Sequence, residues 1–254
     1  MFITRCKVES VEKPASNIYL LKASSPEIAS QIKPGEFCNI KVSESNFPLL
    51  RRPFSICDVN GDYIYFMFNV HGEGTRYLSE KKEGDILDIL APLGNGFNIE
   101  GDYKTAVIVA GGIGAAPFPL LTRYLISSDK KIVTLMGGRN KNDLTNYGLV
   151  NLDYSTDDGS KGFHGNVVQL FKSKIENYSL DEIKVFACGP TPMLKALKEF
   201  CDKNNIQCEI STECAMACGF GICQGCPIES TFNGEKYLLV CKDGPVFNSK
   251  DVIL

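Results

Sequence analysis

The sequence predicts three units in a row: a small antiparallel β-barrel, an α/β domain on a parallel sheet, and a short cysteine-rich subdomain. Three patterns carry this expectation. Up to about residue 98 the chain is a series of short β-rich runs; from residue 105 strand-like and helix-like stretches alternate; after Ser211 cysteine and glycine dominate.

In the first unit, "FCNIKV" (37–42) and "DYIYFMFNV" (62–70) read as strands, and "KPGE", "NGD" and "KKEGD" as the turns between such runs. Evenly spaced short strands with Gly and Pro between them suit a small barrel. In the second unit, "TAVIVA" (105–110) is a continuous apolar run that ends in "GGIGAAP" and leads into the helix-like "FPLLTRYLIS". Strand "KIVTLMGG" (131–138), helix "NVVQLFKSKI", strand and turn "KVFACGP" (184–190), helix "TPMLKALKEFCDKN" and strand "IQCEIS" follow. That βαβ rhythm implies a parallel sheet covered by helices. The third unit contains one expected hairpin, through "NGEKYLLVCKDGP". Its roughly 40 residues are too few to bury a core, so they call for a staple such as a metal. The expected boundaries are 1–98, 99–212 and 213–254.

Composition narrows the function. With 44% hydrophobic and 22% charged residues the chain is an ordinary globular one, and no apolar run approaches the ~18 residues of a membrane span. "MFITRCKVESVEK" lacks the apolar stretch of a secretory signal, which points to the cytoplasm. A net charge of -3 with scattered Lys and Arg argues against nucleic-acid binding. Eleven cysteines, an odd count in an unsignalled chain, favour metal ligation over a disulfide scaffold. His71 and His164 are the only histidines, which excludes a multi-histidine site.

The most specific motif is Cys218, Cys223 and Cys226 in the spacing Cys-x4-Cys-x2-Cys, with Cys241 fourteen residues further on. This is the plant-type spacing for a [2Fe–2S] cluster, in which each iron takes two thiolates. Gly219, Gly221 and Gly225 allow the tight loop such a core requires. A structural zinc site is the alternative reading. Cys214 falls outside the spacing and reads as a bystander.

Three further motifs suggest phosphate binding. "RRPFSICD" (51–58) offers an Arg and a Ser three positions on. "HGEGTRYL" (71–78) places Gly72 to Thr75 at a helix start, where bare N–H groups attract anions. "VIVAGGIGAAPF" (107–118) is a strand, glycine turn and helix that let the main chain approach a ligand at Gly111, Gly112 and Gly114. "ACGPTPML" (187–194) puts a second turn on the same sheet edge.

In this order, "RPFS", "GEGT", "GGIGAAP" and "CGP" resemble the ferredoxin reductase family, an FAD-binding barrel followed by an NAD-binding domain. The tail, with "ACGFGICQGC" and "CKDGPVF" (241–247), is similar to the electron-transfer subunits of class 1B dihydroorotate dehydrogenase. The resemblance implies FAD contacts at Arg52, Pro53, Phe54, Ser55, Met67, Phe68, Asn69, Gly74 and Thr75. Asn69 stands where the family pattern has an arginine. It implies NAD contacts at Gly111, Gly112, Gly114, Cys188, Gly189 and Pro190, and cluster ligands Cys218, Cys223, Cys226 and Cys241. Cys188 would sit at the nicotinamide in a steric or electrostatic role, and no residue need act as nucleophile or general base. "GGRNKNDL" (137–144) and "STDDGSKG" (155–162) would flank the adenosine ribose. There Asp157 and Asp158 either disfavour a 2'-phosphate or simply form an acidic turn.

The implied activity is electron transfer from an FMN-containing catalytic subunit through [2Fe–2S] and FAD to NAD+ in pyrimidine biosynthesis. The implied assembly is a heterotetramer with two of each chain, docked through the 214–227 loop. The alternative is an NAD(P)H-dependent reductase subunit serving ferredoxin, sulfide or hydrogenase chemistry. A zinc-stapled interaction module on a degenerate flavin fold is a rival of another class.

Overall fold

The structure, a computed structural model, describes the 254-residue chain apart from residues 46, 177, 233 and 235. Its first unit holds strands β1 (Phe2–Ala15), β2 (Ile18–Ser24), β3 (Phe37–Lys41), β4 (Arg52–Ser55), β5 (Asp58–Asn60), β6 (Tyr63–Phe68) and β7 (Ile86–Leu93). Helices α1 (Pro26–Ala29) and α2 (Glu73–Ser79) connect them. The strands form one antiparallel sheet in the order β4-β3-β7-β1-β2-β6-β5. In β1, Cys6 and Val8 are buried while Arg5 and Lys7 are exposed, the alternation of a strand with one face on a core. The sheet curls until Phe54 of β4 meets Phe66 and Phe68 of β6 edge-on, with ring centroids 6.4 and 5.8 Å apart.

The second unit has β8 (Thr105–Gly111), α3 (Phe118–Ser127), β9 (Lys131–Gly138), β10 (Leu152–Thr156), β11 (Phe163–His164), α4 (Val167–Ile175), β12 (Ile183–Cys188), α5 (Thr191–Lys203) and β13 (Gln207–Ser211). These strands are parallel, in the order β11-β10-β9-β8-β12-β13. Along β8, Val107 and Val109 pack with α4 and α5, whereas Ala106 and Ile108 pack with α3. Both sheet faces are therefore covered, which is why this strand is apolar without interruption. Asn166 caps α4, its side chain accepting from the Gln169 amide.

The tail contributes β14 (Pro227–Ser230), β15 (Tyr237–Leu239), β16 (Val246–Asn248) and β17 (Val252–Ile253). The hairpin expected within 233–245 instead pairs β14 with β15, so its first strand lies upstream of that stretch; residues 233 and 235 are outside the described residues. Strand β17 adds to β14, and β16 leaves the tail to pair antiparallel with β13 at the edge of the parallel sheet. The last unit is thus stitched into the second.

One ion pair joins the larger units, and a second ties the chain that links them to the parallel sheet. Arg123 of α3 donates from Nε and Nη2 to the buried Asp58 of β5, at 2.6 and 2.9 Å. Lys184 of β12 is paired with Glu209 of β13 at 2.8 Å, both nearly inaccessible to solvent. Lys184 also donates to the Asn98 carbonyl, and Glu209 accepts from the Asn98 amide, so the pair pins the chain where it enters the second unit. Removing one member of a buried pair strands the other charge. Lys184→Met is expected to cost about 3 kcal/mol or more, read as a lowered unfolding midpoint, and adding Glu209→Met should recover most of the loss.

Candidate redox and nucleotide site

Two adjoining cavities open at the junction of the units. The smaller, about 220 Å³, is lined by Pro53, Phe54, Ser55, Met67, Phe68, Asn69 and Thr75. These are the expected flavin contacts except for Arg52 and Gly74, which lie beside it. The bare Gly74 backs onto the Arg52 stem, where a Cβ would come within 3.0 Å of Arg52 Cγ. "RPFS" and "GEGT" therefore meet in space. The Arg52 guanidinium donates to the Leu50 carbonyl at 2.6 Å.

Thr75 Oγ1 accepts from the amides of His71 and Gly72 and donates to the Gly72 carbonyl. Its hydroxyl is used up in fixing the turn. The first N–H groups of α2, which have no intrahelical acceptor, remain as the donors available to a phosphate. Asn69 Oδ1 is buried without a hydrogen-bond partner among the described residues. An orphaned polar atom on a cavity wall is what a missing polar ligand leaves behind, so the donor set suits a flavin nucleotide.

The larger cavity, about 850 Å³, is lined by Gly111, Gly112, Gly114, Gly189 and Pro190. Cys188 lines the smaller one, so the "CGP" turn spans both. The two cavities share Asn69, His71, Ile113, Thr212 and Glu213. Burial, with Glu213 adding to it and a Ser211 hydrogen bond opposing it, pushes the Cys188 thiol up to about 12. Burial therefore favours its neutral thiol form.

The glycines here have different physical reasons. A Cβ on Gly114 would lie 2.5 Å from the Cys188 carbonyl oxygen, and one on Gly111 would lie 2.6 Å from Met193 Sδ. Those two glycines let the turns after β8 and β12 pack on each other. Gly112, with φ of +54° and nothing within 4 Å of a Cβ, is the open one that leaves room for a ligand. At the far end, Arg139, Asp143 and Asp157 line the cavity. Asp143 accepts from the Arg139 amide at 3.1 Å and from its Nε at 3.4 Å. Asp158 is outside the lining and accepts from the Ser160 amide, so it forms the turn while Asp157 faces the cavity.

The four expected cluster ligands come together as two pairs. Cys226 and Cys241 are buried with sulfurs 3.1 Å apart, and Cys226 Sγ accepts from the Cys241 amide. Cys218 Sγ accepts from the amide of the exposed Cys223 at 3.5 Å, and Cys241 Sγ from the Gly221 amide at 3.1 Å. Two thiol pairs suit a two-iron core. Among the described residues, no three His, Cys, Asp or Glu side chains form a single-ion site. Gly219 and Gly221, at φ of +82° and +91°, supply the backbone turns. Although burial opposes it, N–H groups of Cys223, Phe220 and Ile222 bring the Cys218 thiol down to about 6.

Two asparagines that the motifs did not single out fasten this loop to the barrel. Asn39 Nδ2, fully buried in β3, donates to the Cys218 carbonyl, and Asn95 Nδ2 donates to the carbonyls of Lys242 and Asp243 at 3.0 Å. Cys214, expected to be a bystander, lines the smaller cavity beside Met216 and packs against the core that includes Cys226 and Cys241.

A barrel, a parallel sheet with a cavity at its strand ends and a four-thiol loop define an oxidoreductase of the ferredoxin reductase type. Residues 213–253 match the iron–sulfur cluster binding domain of dihydroorotate dehydrogenase B. Over 97% of both chains, this one is 35% identical to the dihydroorotate dehydrogenase B (NAD(+)) electron transfer subunit of Bacillus velezensis. It is 37% identical, over 98% of both, to that of Caldanaerobacter subterraneus subsp. tengcongensis. The chain belongs to the family of dihydroorotate dehydrogenase B (NAD(+)) electron transfer subunits, and so is an electron-transfer subunit that works with a catalytic partner.

Among solved structures, a chain from work on flavin-based bifurcation in NADH-dependent reduced ferredoxin–NADP oxidoreductase matches with a TM-score of 0.84 and 27% identity. That match covers 98% of this chain and 89% of the other. The ferredoxin reductase of carbazole 1,9a-dioxygenase shares the fold, with a TM-score of 0.68 at 21% identity over 81% of this chain and 66% of that one. No helix among the described residues is long and apolar enough to cross a membrane.

In chain stripped of metal, alkylation of Cys218 should fall away as pH drops through about 6, because the thiolate forms above that value. Mass-spectrometric labelling across pH checks this; a midpoint near the ~8.5 of an ordinary thiol would refute it.

Proposed function

We propose that this chain takes electrons from an FMN-containing dihydroorotate dehydrogenase catalytic subunit at a [2Fe–2S] cluster and delivers them through FAD to NAD+. The setting is pyrimidine biosynthesis in the cytoplasm, in a heterotetramer with two of each subunit. The observation that carries the reading is spatial order. The smaller cavity has Cys214 and Met216, from the approach to the cysteine loop, on its wall and shares five other wall residues with the larger cavity. A flavin exchanges single electrons with a cluster and a hydride with a nicotinamide, so it belongs in the middle position.

The chain's own residues hold this arrangement. Cys218 with the exposed Cys223, and the buried pair Cys226 and Cys241, would each supply two thiolates to the cluster, which would pass single electrons. Asn69, Ser55 and the start of α2 hold the flavin nucleotide, with Arg52 seated on Gly74 beside it. Gly112 would leave the nicotinamide dinucleotide room against the sheet edge, and the "CGP" turn, which lines both cavities, would border the place where the two rings meet for hydride transfer. Asp157 faces the ribose end and disfavours a 2'-phosphate. In this reading residues 1–98 serve FAD, 99–212 NAD and 213–254 the cluster.

Replacing Cys223 with Ser should abolish partner-to-NAD transfer while NADH still bleaches the bound flavin. Loss of both with flavin retained would refute the order of carriers. Co-expression with an FMN-containing catalytic subunit should yield a complex that forms orotate with NAD+; a chain that binds no such subunit and gains no NAD-linked activity would sink the assignment.

A further inference from the structure

The larger cavity has a wall that the nucleotide motifs do not account for. Glu229, Tyr237 and Ile253 line it, all three from the cysteine-rich tail. In the three-stranded sheet β15-β14-β17, Glu229 is the register partner of Tyr237 on one side and of Ile253 on the other. The three form one row across the sheet, facing the cavity. Tyr237 and Ile253 are 51% and 48% exposed, and Glu229 between them is exposed as well.

Two large apolar side chains turned outward beside a carboxylate, on the wall of a cavity, fit a nucleoside: a ring face for the base and paired oxygens for the ribose hydroxyls. We propose that this row is a second nucleotide-binding wall, with Tyr237 stacking on a base and Glu229 accepting from a ribose of the nicotinamide dinucleotide. The assignment rests on the reading that this cavity takes NAD. The remaining charge of the wall agrees with a ligand that lacks an extra phosphate. Asp143, Asp157 and Glu213 also line the cavity, and Arg139, the cation of that wall among the described residues, is engaged by Asp143.

The same sheet is bracketed by cluster ligands. Strand β14 starts at Pro227, next to Cys226, and β15 ends at Leu239, two residues before Cys241. The Val240 amide donates to the Cys226 carbonyl at 2.9 Å, closing the bracket. Metal at these thiols would therefore anchor the ends of the two strands that carry Glu229 and Tyr237, the same strands a nucleotide on the row would hold. Binding at one site favours binding at the other, by equal factors.

The test uses full-length chain loaded with flavin and cluster. Tyr237→Ala should raise the NADH concentration for half-maximal flavin bleaching about tenfold, the weight of one lost stacking contact, and leave the limiting rate unchanged. Glu229→Gln should raise it less, and Tyr237→Phe should keep the wild-type value. NAD+ should slow iron release from wild type to a coloured chelator, and do so less in Tyr237→Ala. Half-saturation unchanged in both Tyr237→Ala and Glu229→Gln overturns the wall. Iron release indifferent to NAD+, in wild type that NADH does bleach, overturns the coupling. Wild type that NADH cannot bleach removes the reading of the cavity itself.

Discussion

The seating of the cysteine-rich tail on the other two units is the constraint on which the site depends. A segment of about 40 residues has too little apolar surface for a core of its own, so its position is set by bonds to its neighbours. Asn95 holds the carbonyls of Lys242 and Asp243, its amide donates to the Gly244 carbonyl at 2.6 Å, and Asn39 holds the Cys218 carbonyl. On the other flank the Thr212 amide donates to the Pro245 carbonyl and β16 zips to β13. These contacts seat the cysteine loop so that its approach, at Cys214 and Met216, forms part of the wall of the smaller cavity. Without them the loop would be a cysteine-rich appendage with no defined distance to a flavin.

The second requirement is close approach between backbones, and glycine meets it at the junction. The turns after β8 and β12 touch so closely that Gly111 and Gly114 have no room for a Cβ. Their contact lets two sheet-edge turns form one continuous floor under both cavities. Arg123 reaching across to Asp58 fixes the barrel against that floor. The two cavities thereby share Asn69, Ile113 and Glu213 as common wall.

Much of this was legible in the residues. Strand β9 spans the expected 131–138 and α3 the expected 118–127, because buried parallel strands and Pro-started helices leave strong local patterns. The cysteine spacing was legible for a similar reason, since loop geometry around a cluster is set by nearby residues. What local pattern cannot carry is the identity of distant partners. Nothing in "VFN" says that it will pair with "QCEIS", and the expected hairpin was placed too far along for the same reason. Asn39 did leave a trace, a single amide within the otherwise apolar run "FCNI". The reason for the glycines at 111 and 114 was hidden too, because their steric partners lie some eighty residues further along the chain.

The pairing of β16 with β13 has a consequence for how the chain behaves before it is complete. Strand β13 is otherwise the last of the parallel sheet, and its outer hydrogen-bonding groups are satisfied by residues 246–248. An open edge strand is a template for pairing with other chains. The segment that carries the final thiolate therefore also closes the sheet. A molecule whose tail has not yet settled exposes a sticky edge, so the metal site and the closed sheet edge both wait on the docking of one tail.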